Sequence, residues 1–85
     1  MARALAMQRT EVDAAVRAAF ETRLSGRREH YRRHGCHYWV FEEVGGAGSF
    51  IEFIEGADAA TIEAALAGAP EPVTGARIYQ EREID

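Results

Sequence analysis

Residues 36–55 read Cys36-His-Tyr-Trp-Val-Phe-Glu-Glu43, then Val44-Gly-Gly-Ala-Gly48, then Ser49-Phe-Ile-Glu-Phe-Ile-Glu55. Two runs dense in aromatic and β-branched residues flank a glycine-rich turn, which is the pattern of a β-hairpin. In the first run His37, Trp39 and Phe41 share one face; Tyr38, Val40 and Glu42 share the other. In the second, Ile51 and Phe53 point one way; Phe50, Glu52 and Ile54 point the other. Both faces carry large apolar groups. An antiparallel strand with one wet face alternates more cleanly, so each side of this sheet is expected to be covered.

Working outward, Gly35 is placed to end a preceding helix in the left-handed conformation. That helix is expected to begin at Thr10-Glu-Val-Asp13, which has the form of a capping box with Asp in the Glu/Gln position. Val12, Ala15, Val16, Ala19, Phe20 and Leu24 follow at spacings of three and four, an amphipathic stripe that Tyr31 extends by seven residues. Ser25-Gly26 weakens the helix locally, by ~1 kcal/mol for the glycine. Glu29 can pair with Arg32 or Arg33. Ahead of the helix, Ala2–Arg9 alternates as a strand; its alanines make a helix the alternative.

On the other side of the hairpin, Asp58 is a good N-cap for a helix with Ala59, Ile62, Ala65 and Leu66 on one stripe. Gly68 and Pro70 end it. Residues 70–75 form a loop, and Arg77–Ile84 a last strand with Ile78, Gln80, Arg82 and Ile84 on one face and Tyr79 on the other. The order β-α-β-β-α-β is the split βαβ, ferredoxin-like α+β arrangement: a four-stranded antiparallel sheet with both helices on one face. Small, alanine-rich helices can cover only that face. A second copy of the same sheet, packed across a two-fold axis, is the simplest cover for the other, so a homodimer is expected.

Eighty-five residues make one domain, 1–85, that is marginal alone. Cys36 is the only cysteine, so no disulfide can form within the chain. With no secretory or membrane-spanning pattern, a soluble cytoplasmic protein is expected. The net charge of −4 argues against general nucleic-acid binding. All ten basic residues are arginine. They gather on the first helix, where Arg23, Arg27, Arg28, Arg32 and Arg33 form a band that either faces solvent or binds an anion.

The element order, the aromatic second strand and the run Phe50-Ile-Glu-Phe-Ile-Glu55 leading through Gly-Ala to Asp58 resemble the dimeric α/β-barrel superfamily, near its antibiotic-biosynthesis monooxygenase type. The resemblance spans nearly the whole chain in pattern. It implies sheet-to-sheet dimers, a ligand cleft between each sheet and its helices, and, in some members, oxygenation of quinols or aromatic polyketides without a cofactor. Asparagine, tryptophan, tyrosine and arginine or histidine often line such clefts. Trp39 answers to the tryptophan, whereas this chain has no asparagine.

On this reading His37 is the candidate base, since a histidine titrates near neutral pH and can take a proton from a phenol or quinol. Trp39, Phe41 and Tyr79 are candidate walls for a small aromatic ligand, and Arg82 the anion-stabilising group. The competing reading makes the aromatic strand residues core or dimer contacts, which is their commoner use. Glu52 is either an acid or base of raised pKa or the partner of Arg77 or Arg82. His30, His34, Cys36 and His37 are close in sequence, but the helix must end among them, so no metal is expected. Cys36 reads as a small buried apolar group more readily than as a reactive thiolate. Gly45-Gly46-Ala47-Gly48 joins two strands and opens no helix, so it is a turn and not a phosphate loop. No cofactor is expected. A non-enzymatic dimerisation or ligand-binding module is the alternative to an oxygenase.

Overall fold

The computed structural model describes residues 3–69 and 76–84. Its elements are β1 (Ala4–Glu11), a 3-10 turn (Ala14–Val16), α1 (Arg17–Arg33), β2 (His37–Glu42), β3 (Ser49–Gly56), α2 (Ala59–Ala67) and β4 (Arg77–Gln80). The strands form one antiparallel sheet in the order β2-β3-β1-β4. This is the expected ferredoxin-like α+β arrangement, and the hairpin of residues 36–55 supplies half of its sheet. The loop expected at 70–75 lies outside the described residues, as do Ala2 and Pro70.

Register fixes the two faces. Trp39 pairs with Phe53 and Phe53 with Met7, while Tyr38 pairs with Ile54 and Ile54 with Ala6. The face bearing Tyr38, Phe50, Glu52, Ile54, Ala4 and Ala6 is buried. Ile62 and Ala65 of α2 and Tyr31 of α1 join it in one core with Cys36. Alanine is a poor strand former, yet Ala4 and Ala6 sit in a central strand because their small side chains let α2 approach the sheet. Gly56 serves the same approach: a Cβ there would stand 2.9 Å from Ile62 Cγ1.

Three boundaries depart from the sequence reading. Thr10 and Glu11 belong to β1, paired with Phe50 and Ser49, so the capping box does not form. The ladder offered by β3 outcompetes the local cap, and Asp13 precedes the 3-10 turn with no side-chain cap bond. That turn shifts the helical phase. Val16 is 53% exposed, and the line facing the sheet is Phe20, Leu24, Arg27 and Tyr31 rather than one counted from Val12. The last strand stops at Gln80, opposite Ala4 where β1 begins; one more backbone bond follows, the Glu81 amide donating to the Arg3 carbonyl oxygen at 2.7 Å, and residues 81–84 are exposed.

Other local expectations hold. Gly35 has φ 75° and follows α1. Glu29 pairs with Arg32 at 3.0 Å and Arg33 at 3.5 Å. Asp58 caps α2, its carboxylate accepting from the Thr61 amide at 2.8 Å. The hairpin turn needs glycine at Gly48, where φ is +87° and a Cβ would run into the carbonyl oxygen of Val12.

Candidate functional site

The helix-covered face is not uniformly apolar. Glu52, in the middle of β3, is 3% exposed, and its carboxylate collects three side chains. Arg27 reaches down from α1, its Nη1 2.6 Å from Glu52 Oε1. Tyr38 on the neighbouring strand donates its hydroxyl to the same oxygen. Thr10 donates to Oε2 at 3.0 Å, and Gln8 Nε2 donates to Thr10 Oγ1 at 3.3 Å. A buried carboxylate is tolerated only when paired and hydrogen-bonded, and here both oxygens are used. Among the described residues, Gln8 Oε1 is the buried side-chain acceptor left without a partner.

The cluster fixes proton positions. Burial, and then the hydrogen bond to Glu52, push the Tyr38 phenol well above the usual tyrosine range, so it stays a donor. Burial also raises Tyr31, whose ring stacks on Tyr38 with centroids 5.3 Å apart. For Arg27, burial disfavours the charge, but the hydrogen bond to Glu52 and its charge outweigh it and hold the guanidinium above its ordinary pKa. Arg27 also lies over the Phe20 ring, 5.6 Å from its centroid.

Beside this cluster, α1 and the edge strand β2 leave a groove of about 410 Å3. Leu24, Val40, Tyr38 and Trp39 give it an apolar lining, with Glu21, Ser25 and Arg28 completing it. Tyr38 therefore belongs to both features: it lines the groove and its hydroxyl is bound to Glu52.

The residues singled out from the sequence lie elsewhere. His37, Trp39, Phe41 and Tyr79 are on the open face of the sheet, opposite the helices, and Arg82 is exposed beyond the end of β4. The His37 side chain is 75% exposed, with Nδ1 3.5 Å from Glu55 Oε1. Its ring meets Trp39 edge-on at 5.7 Å, and Phe41 meets Phe53 in the same way at 5.7 Å. The structure thus brings His37, Trp39 and Phe41 together, as β2 geometry requires, but not beneath α1; only Trp39, at the sheet edge, also lines the groove. Glu52 pairs with Arg27 rather than with Arg77 or Arg82. Arg77 is opposite Met7 and so lies on the other face, and Arg82 is past the sheet.

Arg27 was hidden in the arginine band, although its position seven residues after Phe20 and four before Tyr31 places it on the buried stripe. Cys36 is 2% exposed and its thiol is pushed up by burial, so it packs as an apolar group. His30 Nε2 is 2.8 Å from the Ala65 carbonyl oxygen and His34 Nδ1 is 3.0 Å from that of His30. His30 thus ties α1 to α2 while His34 bonds back onto α1, and no group of three or more His, Cys, Asp and Glu converges on a metal position among the described residues.

Solved structures share this arrangement end to end. SnoaB, a cofactor-independent oxygenase from Streptomyces nogalater, superposes with a TM-score of 0.76 at 17% identity, over 96% of this chain and 95% of that one. The chain has the ferredoxin-like fold. An antibiotic biosynthesis monooxygenase, so described, from Bordetella bronchiseptica matches over 99% of both chains, with a TM-score of 0.66 at 12% identity. Rv0793 from Mycobacterium tuberculosis matches over 100% of this chain and 97% of its own, with a TM-score of 0.64 at 18% identity. At these identities the likeness is one of fold. No protein-family model matches the chain, and no curated protein matches it in sequence. Within this fold, β2 is an edge strand, so the groove beside it opens to solvent while the Glu52 cluster stays beneath α1.

Proposed function

We propose that the chain is a small-molecule-binding protein that takes a hydroxylated aromatic ligand in the groove between α1 and β2, and that its activity is cofactor-independent oxygenation. The observation that carries this reading is the polar Glu52–Tyr38–Arg27 group placed against an apolar groove. Small-molecule sites combine an apolar lining with a few convergent polar groups, in volumes of roughly 300–1,000 Å3. The oxygenase part draws support from SnoaB, a cofactor-independent oxygenase of the same fold.

On this reading Tyr38 accepts a hydrogen bond from the ligand hydroxyl, and a proton leaving the ligand passes through Tyr38 to Glu52. Arg27 balances the carboxylate and the developing phenolate. The electron-rich ring then reacts with dioxygen directly. One oxygen atom enters at an activated CH2 carbon as a carbonyl, the other leaves as water with the two hydrogens of that carbon, and Glu52 returns its proton through Tyr38 to the ligand oxygen. His37, Trp39, Phe41 and Tyr79 take the other role weighed for them, as contacts of a second copy on the open face.

The test is oxygen uptake with an anthrone as probe, whose CH2 carbon becomes the carbonyl. Saturable uptake above the spontaneous rate, reduced at least tenfold by Tyr38→Phe, supports oxygenation. Uptake equal to the spontaneous rate overturns it. A non-enzymatic binding module is the second reading. The mutual satisfaction of Glu52, Tyr38, Arg27 and Thr10 favours it, because such a network can serve the fold alone.

A further inference from the structure

The groove of about 410 Å3 between α1 and β2 carries two charges at its margin, and they are not equivalent. Glu21 is answered by Arg17, whose Nη2 is 3.4 Å from Glu21 Oε1. Arg28, two turns further along the lining, has no ion pair among the described residues. The groove therefore presents an unanswered cation at the end of an apolar lining made by Leu24, Val40 and the ring of Tyr38, with Ser25 a further donor within the same turn.

We infer that this groove selects aromatic ligands that carry an anionic arm, a carboxylate above all, with the ring against Leu24 and Val40 and the arm on Arg28. This rests on the groove being the ligand site, and deepens that reading by naming the ligand class. Guanidinium matches carboxylate in a planar, bidentate geometry that a neutral hydroxyl cannot reproduce. An arginine at the rim keeps water access and is not desolvated by the ligand ring. Its contribution is therefore discrimination between charged and neutral forms of one ring system.

The experiment compares 2-naphthoate with 2-naphthalenemethanol, which share the ring and differ in charge. Binding is followed by methyl chemical shifts of Leu24 and Val40, which report the groove and not the open face of the sheet. The expected result is that naphthoate binds about tenfold more tightly, the size of one charge-assisted hydrogen bond. Arg28→Gln should abolish that preference while leaving the affinity for the alcohol unchanged, and added salt should weaken only naphthoate. If both compounds shift Leu24 and Val40 with equal affinity, or Arg28→Gln leaves the preference intact, the anion inference is overturned and the groove stands. If neither compound moves those methyl signals, the groove reading falls with it.

Discussion

Glu52 is the side chain at which stability and proposed chemistry meet. It occupies a position that register assigns to the core, and it is accommodated there because Arg27, Tyr38 and Thr10 converge on it. Removing one member of a buried pair leaves the other charge without compensation. We therefore expect Glu52→Ala to lower stability by about 2 kcal/mol in urea unfolding, at or below the small end of the range for buried pairs because the Arg27 side chain keeps 15% of its surface exposed. Glu52→Gln, which still accepts from Tyr38 and Thr10, should cost less. Equal urea midpoints for wild type and Glu52→Ala would show that the cluster contributes nothing to the fold. The residue scale is also where the sequence was hardest to read. Glu52 was legible as a partly buried carboxylate, but its partner was not. Arg27 is one of six arginines in one helix, and only the helical phase set by the 3-10 turn at Ala14–Val16 separates it from its solvent-facing neighbours.

Among the elements, the entry to α1 is tied to the hairpin by a single carboxylate. Glu42, the last residue of β2, holds Arg17 through two bonds of 2.5 and 2.7 Å and accepts from the Gly48 amide at 2.9 Å. Arg17 and Gly48 together hold the Glu42 carboxyl at about 2, below its ordinary value. A carboxylate with a lowered folded pKa binds fewer protons in the native state than in the unfolded chain. Its stabilisation is therefore complete above the unfolded pKa of roughly 4.5 and is lost as pH falls toward 2. Glu42→Gln should accordingly be less stable than wild type at pH 7, and the gap should close between about pH 5 and pH 2 in thermal melts. A gap independent of pH would exclude this origin. The helix itself was legible in existence and in its end at Gly35. Its start was not, because Thr10 has the side chain of a cap but the backbone partners of a strand.

At the scale of the molecule, the unanswered feature is the open face of the sheet. Trp39, Phe41 and Tyr79 are 42%, 55% and 48% exposed there, with His37, Ile51 and Phe53 between them. Contiguous apolar patches of several hundred Å2 on small proteins commonly mark interfaces, and a stable contact buries about 800 Å2 on each partner. We expect sedimentation equilibrium at ten micromolar to return twice the chain mass of 9.4 kDa, and Trp39→Asp combined with Phe41→Asp to return a folded monomer. A wild-type monomer at that concentration would remove the dimer from the account. Such a dimer would leave the groove beside α1 accessible, since the groove lies on the helix side of the β2 edge.

Local pattern by itself determined the order of elements, the hairpin of residues 36–55, the Asp58 cap, the glycine stop at Gly35 and the division of each strand into two faces. These follow from periods of two and 3.6 and from backbone preferences that act over a few residues. Tertiary structure alone decided which face the helices cover. It sent Tyr38 and Glu52 inward and left His37 and Trp39 out, because the choice depends on α2 packing against Ala4 and Ala6 across the sheet. It also decided where β1 and β4 end, through the partners available in the ladder. The contrast between Arg28 and its neighbours arises in the same way, since charges alike in sequence differ only in what the fold places beside them.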